Sequence, residues 1–208
     1  MSVYITGDTH GEFERIKDFC DSCGTTEEDI LIILGDAGIN FFLDQRDERL
    51  KAELAEYPIT LFCIRGNHEE YPNLIFAEDG EIYDFDGKKA VVLGGAYSVD
   101  KYYRLRNGIP WFDTEQPDDN VKEYAERQLD KAGWKLDYVF SHTVPLSYEP
   151  RWAFLPSINQ AMVDKTTEKW LEEIYNKLDF GQWFAGHYHV DSSDGNVNIM
   201  FEEIEEPY

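Results

Sequence analysis

Short apolar runs alternate with amphipathic stretches through the first third of the chain. "SVYITGD", "DILIILGD" and "ITLFCIRGN" have strand length and are rich in β-branched and aromatic residues. Between them, "EFERIKDFCDSC" sets Phe13, Ile16, Phe19 and Cys20 at helical spacing. "FFLDQRDERLKAELAEYP" reads as an amphipathic helix closed by Pro58. Strand, helix, strand, helix, strand predicts a parallel α/β core with right-handed crossovers. Further on, "EIYDFDGKKAVVLGG" reads as a hairpin turning at Asp86-Gly87. "DDNVKEYAERQLDKAG" is a helix with Val121, Tyr124, Ala125, Gln128 and Leu129 on one side. "LDYVFSH" is a strand, and "DKTTEKWLEEIYNKL" a helix turning Trp170, Leu171, Ile174, Tyr175 and Leu178 inward. "GQWFAGH" and "NVNIMFEEI" are the last strands, and the acidic tail "FEEIEEPY" is expected to be solvated. Residues 95–118 and 143–163 lack periodicity and read as loop insertions in one domain spanning 1–208.

Composition narrows the class. Of 208 residues, 42% are hydrophobic and 15% aromatic, enough for a sizeable core. No run approaches a membrane span, and "MSVYITGDTHG" enters a strand without a signal-peptide pattern, so a cytosolic protein is expected. The net charge of -23 opposes non-specific binding to nucleic acid or anionic lipid. A polyanionic substrate then needs local positive charge, which bound metal ions supply. "CDSC" has no second pair to complete a zinc site and lies at a helix end, so Cys20, Cys23 and Cys63 are expected to be free structural thiols.

Polar residues gather just past the apolar runs. The early strands end in "GDTHG", "GDAG" and "GNHE", and two later ones in "SHT" and "GHYH". All five histidines, His10, His68, His142, His187 and His189, lie in these segments beside Asp8, Asp36 and Asn67. In an open α/β sheet, the carboxyl ends of the strands are where ligands bind. One such histidine is ordinarily a structural residue; five confined to strand ends point to metal. Imidazole with carboxylate and amide oxygen suits Mn, Fe, Zn, Co or Ni better than Ca or Mg. The set is too large for one ordinary site and fits two ions bridged by a carboxylate, about 3.5–4 Å apart.

The order Asp8-Thr9-His10, Gly35-Asp36, Gly66-Asn67-His68-Glu69, His142, Gly186-His187-Tyr188-His189 resembles the calcineurin-like metallophosphoesterase family, over nearly the whole chain. The resemblance implies a four-layer α/β/β/α sandwich, two sheets face to face with helices outside. It implies one divalent transition-metal ion held by Asp8, His10, Asp36 and His189, and another by Asp36, Asn67, His142 and His187. Manganese is the first expectation, with Fe, Zn, Ni and Co as alternatives. The implied reaction is hydrolysis of a phosphomonoester or phosphodiester by metal-activated water, with His68 assisting the leaving oxygen. The implied partner is a small-molecule phosphoester, nucleotides among the candidates.

The family usually reads G-D-x-x-D, its second aspartate pairing with the catalytic histidine; here that position is Ile39. Glu69 and Asn40 are the residues that would have to compensate. The arginine that follows in phosphoprotein phosphatases is also missing, which disfavours a serine/threonine phosphatase. An inactive interaction scaffold would be marked by lost ligands, and none of the seven is missing. Arg65 has two readings, a phosphate contact or a structural salt bridge. "GGAYSVDKYYRLRNGIPWF" resembles the G-G-A-x-S-x-D-K stretch of a bacterial subgroup of the family and concentrates Lys101, Arg104 and Arg106 among aromatic rings. It is either a lid whose cations bind substrate phosphate or a loop packed on the domain.

Overall fold

A computed structural model of the chain describes residues 1–69 and 76–207. Its first half runs β1 (Val3–Thr6), α1 (Glu14–Cys23), β2 (Ile30–Ile33), α2 (Gln45–Leu54) and β3 (Thr60–Cys63). The rest runs β4 (Ile82–Phe85), β5 (Lys88–Leu93), α3 (Lys101–Asn107), α4 (Asp119–Lys131), β6 (Lys135–Ser141), α5 (Thr166–Lys177), β7 (Asp179–Ala185), β8 (Ser192–Asp194) and β9 (Val197–Ile199). β1, β2 and β3 form a parallel sheet in that order, and a six-stranded mixed sheet is ordered β4-β5-β6-β7-β9-β8. The expected hairpin is present, with Phe85 opposite Lys88 and both Asp86 and Gly87 at positive φ, as a two-residue turn requires.

Strand alternation sorts side chains into layers. Ile5, Ile32, Leu34 and Ile64 of the small sheet meet Val92, Tyr138, Phe140, Phe184 and Met200 of the large one. The alternate residues Leu31, Ile33 and Cys63 pack against Ile16 and Cys20 of α1 and Leu54 of α2. On the far side, Val91, Val139, Trp183 and Ala185 pack against Ala125 and Leu129 of α4 and Trp170, Leu171 and Ile174 of α5. The architecture is therefore the α/β/β/α sandwich. The spacing that marked the inward faces of α4 and α5 is the spacing that buries them.

Two sequence expectations change. The second helix is shorter than its apolar pattern: Leu43 is left-handed, and Asp44 caps the helix by accepting from the Arg46 N–H at 2.8 Å. The first insertion contains α3, which buries none of its residues and so carries no apolar stripe to read. The acidic tail is solvated through its glutamates, as expected, and is also paired, because Ile5 and Glu205 exchange backbone hydrogen bonds of 2.8 and 3.0 Å. The tail extends the edge of β1 while its glutamate side chains face water. Residues 143–163 hold three short 3-10 turns. Cys20, Cys23 and Cys63 are free, with Cys20 and Cys63 buried. No described helix is long and apolar enough to cross a membrane.

Candidate metal centre

Because β1, β2 and β3 are parallel to each other, and β6 to β7, their following segments emerge together. The packing of the two sheets then brings both groups to one end. Asp8 and Asp36 are the anchors. Asp8 Oδ1 accepts from the His187 N–H at 2.8 Å, and Asp36 Oδ1 accepts from the His68 N–H at 2.9 Å. Each carboxylate is thus fixed by backbone through one oxygen and offers the other. Asp8 Oδ2 lies 3.2 Å from His189 Nε2 and 3.6 Å from His10 Nε2. Asp36 Oδ2 lies 3.7 Å from His68 Nε2 and 3.8 Å from His142 Nε2.

The glycines of the motifs follow from these approaches. A Cβ on Gly66 would lie 1.9 Å from Asp36 Oδ1, and one on Gly186 2.4 Å from Asp8 Oδ1. Any side chain there would push a carboxylate out of place. The segments are also bent sharply: His10, Asp36, His187 and His189 all have positive φ, a sparsely populated region for residues with a Cβ.

The donor atoms fit cations. His142 Nδ1 lies 2.8 Å from the Leu34 carbonyl, so an N–H there leaves Nε2 bare. That nitrogen is 2.7 Å from Asn67 Oδ1, while Asn67 Nδ2 donates to Ser98 Oγ at 3.0 Å. Two acceptor atoms this close need a positive charge between them, a proton or a metal. His10 Nε2 and His189 Nε2 also face each other at 2.9 Å. Two nitrogens each about 2.1 Å from one ion, at right angles, would lie about 3 Å apart. Asp8, His10 and His189 form one group able to hold an ion, and Asp8, Asp36 and His142 a second. Asp8 therefore belongs to both groups, and Asp36 to the second, with its Oδ2 also facing His68. His187 adjoins the second, its ring centre 5.0 Å from that of His142.

Protonation suits this role. Burial pushes the Asp8 carboxyl up, but the His189 hydrogen bond and the surrounding histidines more than reverse it, leaving it well below the ordinary range. Burial also acts against ionisation of Asp36, and His142 and His68 again outweigh it. Burial, reinforced by His142, lowers His187 to about 3, so its ring is neutral at any physiological pH. His189 is raised by its hydrogen bond to Asp8.

His68 sits at the edge of this group. Burial lowers its pKa, Asp36 opposes that, and Arg104 adds to it. The Arg104 guanidinium lies 3.1 Å from His68 Nε2 and is itself held by Asp100 at 2.7 Å. An arginine thus faces the His68 ring. Ile39 is wholly buried in the packing of α1 and α2 on the small sheet. Glu69 does not take the missing part. Its carboxyl accepts from the Ile39 N–H at 2.9 Å, and burial beside Asp36 pushes it up to about 8.

The other sequence candidates separate. Arg65 is buried and bound to Asp79 at 2.7 Å, to the Thr114 carbonyl and to the Gly94 carbonyl at 3.4 Å. It ties the end of β3 to neighbouring turns, and the residues that line the cavity at the metal centre do not include it. Lys101 stands 4.0 Å over the Trp111 ring, and Arg106 is exposed about 200° round the helix from Arg104. Of the three cations on α3, Arg104 alone lines the cavity.

That cavity has a volume of about 550 Å³. Its wall runs from His10, Asp36, Asn67 and His68 across Tyr97 and Val99 to Phe154, Leu155, Ile158 and Tyr188. Most of the apolar wall comes from the second insertion, whose lack of periodicity marked it only as a loop. Glu168 also lines it, buried, with Oε2 unpartnered among the described residues and burial raising it to about 7. The available signal was an acid on the inward face of α5, beside Trp170 and Leu171.

Residues 1–191 match the calcineurin-like phosphoesterase family, and the chain belongs to it. The chemistry of that family is metal-dependent hydrolysis of phosphate esters. Among solved structures the fold is similar to that of TT1561 of Thermus thermophilus, with a TM-score of 0.51 and 12% identity over 96% of this chain and 87% of that one. At that identity the likeness concerns the fold. None of the curated proteins compared with the chain matches it.

Proposed function

We propose that the chain is a dinuclear metal-dependent phosphoesterase acting on small-molecule esters. The observation that carries this is the paired arrangement of Asp8 and Asp36. Each is fixed through Oδ1 by a backbone amide, and each turns Oδ2 toward a histidine nitrogen in a segment that follows a strand of the opposite sheet. Asp8, His10, Asp36 and His189 would hold one ion, and Asp36, Asn67, His142 and His187 the other, with manganese the first expectation. Bound there, the ions would supply Lewis-acid activation of water and of the phosphoryl oxygens.

The protein's own groups do the rest. The neutral His187 ring presents a lone pair without competition from a proton. The Leu34 carbonyl orients His142, and Ser98 orients Asn67. His68, at the cavity edge, gives a proton or hydrogen bond to the departing oxygen. Arg104, beside it, reaches a phosphoryl oxygen from the same side. The apolar wall of the second insertion shields the reacting group from bulk water. A cytosolic setting agrees with the three free thiols.

Elemental analysis and a phosphoester screen on protein reconstituted in turn with Mn, Ni, Zn and Fe test this reading. Two ions per chain and hydrolysis abolished by chelation are expected. Full activity at one ion per chain refutes the dinuclear arrangement.

A further inference from the structure

A second cavity, of about 420 Å³, adjoins the metal centre. Phe41, Phe42 and Leu50 line it, and it shares His10, His68 and Arg104 with the larger cavity. The candidate catalytic histidine and its arginine therefore stand between two chambers, each with an apolar wall. A phosphomonoester has one organic group and would leave one chamber to water. A phosphodiester has two, directed to different sides of phosphorus.

From these features, and resting on the phosphoesterase reading above, we infer that the substrate is a phosphodiester whose two alcohol groups occupy the two cavities. Water adds its oxygen to phosphorus, one ester P–O bond breaks, and the departing oxygen takes up a proton. The products are an alcohol and a monoester.

The test uses the full chain reconstituted with manganese and three esters with one leaving group: p-nitrophenyl phosphate, methyl p-nitrophenyl phosphate and bis(p-nitrophenyl) phosphate. After correction for uncatalysed rates, kcat/KM should rise along that series, with the bis-aryl ester at least 10-fold above the monoester. Phe42→Ala removes an exposed ring of the smaller cavity, and Leu155→Ala an exposed side chain of the larger. At least one variant should lower the ratio of bis-aryl to methyl ester 3-fold or more, with metal content and melting temperature at wild-type values. Preference for the monoester, or a ratio unmoved in both variants, overturns the inference and leaves the phosphoesterase reading standing. No hydrolysis of any ester with both ions bound overturns the two together.

Discussion

Glu69→Gln measures what a buried carboxyl costs beside Asp36. Glu69 is 2% exposed, and its pKa is pushed from the ordinary 4.5 up to about 8 by burial and by the negative charge of Asp36. The folded chain thus keeps a proton that the unfolded chain loses above about pH 4.5. Stability must fall as pH rises from there to about 8 and then level off. Each pH unit of that interval is worth about 1.36 kcal/mol, which sets a ceiling of about 5 kcal/mol. Relaxation and water penetration bring the expected value to about 2–5 kcal/mol. Glutamine keeps an acceptor for the Ile39 N–H and cannot ionise. Urea unfolding of chelator-treated protein, followed by tryptophan fluorescence at pH 5, 7 and 9, gives the comparison. The variant should gain about 2–4 kcal/mol on wild type between pH 5 and 9. Loading the ions should shrink that gain, because positive charge beside Asp36 offsets the penalty. A wild-type-to-variant difference that stays constant within about 0.5 kcal/mol across that range would refute the reasoning.

His68→Ala should keep both ions and lose about 10²-fold in kcat/KM on an alkyl ester, but less on a p-nitrophenyl ester that needs little protonation; equal losses on both would rule out the acid role. Asp36→Asn should weaken both ions, whereas His189→Ala should mainly weaken the one near Asp8 and His10, as read by metal content after dialysis. The raised pKa of His189 means that metal uptake displaces its proton, so affinity at that site should begin to fall while pH is still above the ordinary histidine value and keep falling below it. Calorimetry in buffers of different ionisation enthalpy reads that proton directly, and no proton release near neutral pH would contradict it. Ile39→Asp, which restores the family's residue type, should cost about 3–5 kcal/mol and not speed the reaction, because it places a charge in the core under α1 and α2. A melting temperature at or above wild type would show that the loop can turn the side chain toward His68.

The layers and the position of the polar residues were legible in the sequence because both depend on short-range patterns. The two-residue alternation of β1, β2 and β3 and the helical spacing of α4 and α5 state which faces are buried. Runs that end in Gly-Asp, Gly-Asn-His or Gly-His state where the ligands emerge. Parallel strands share a direction, so segments distant in the chain gather at one end without further information. What the tertiary structure decided concerns pairs of residues with no periodic signal between them. Arg65 binds Asp79, Arg104 reaches His68, and Glu69 turns to the Ile39 amide, each across a separation that only packing sets. Helix α3 buries nothing and so left no stripe to detect. The left-handed backbone at His10, Asp36, His187 and His189 is likewise invisible in residue type, because the surrounding fold holds it against local preference. The two chambers astride His68 depend on loops whose courses are set by what they pack against, so their shape appears only once the sandwich is closed.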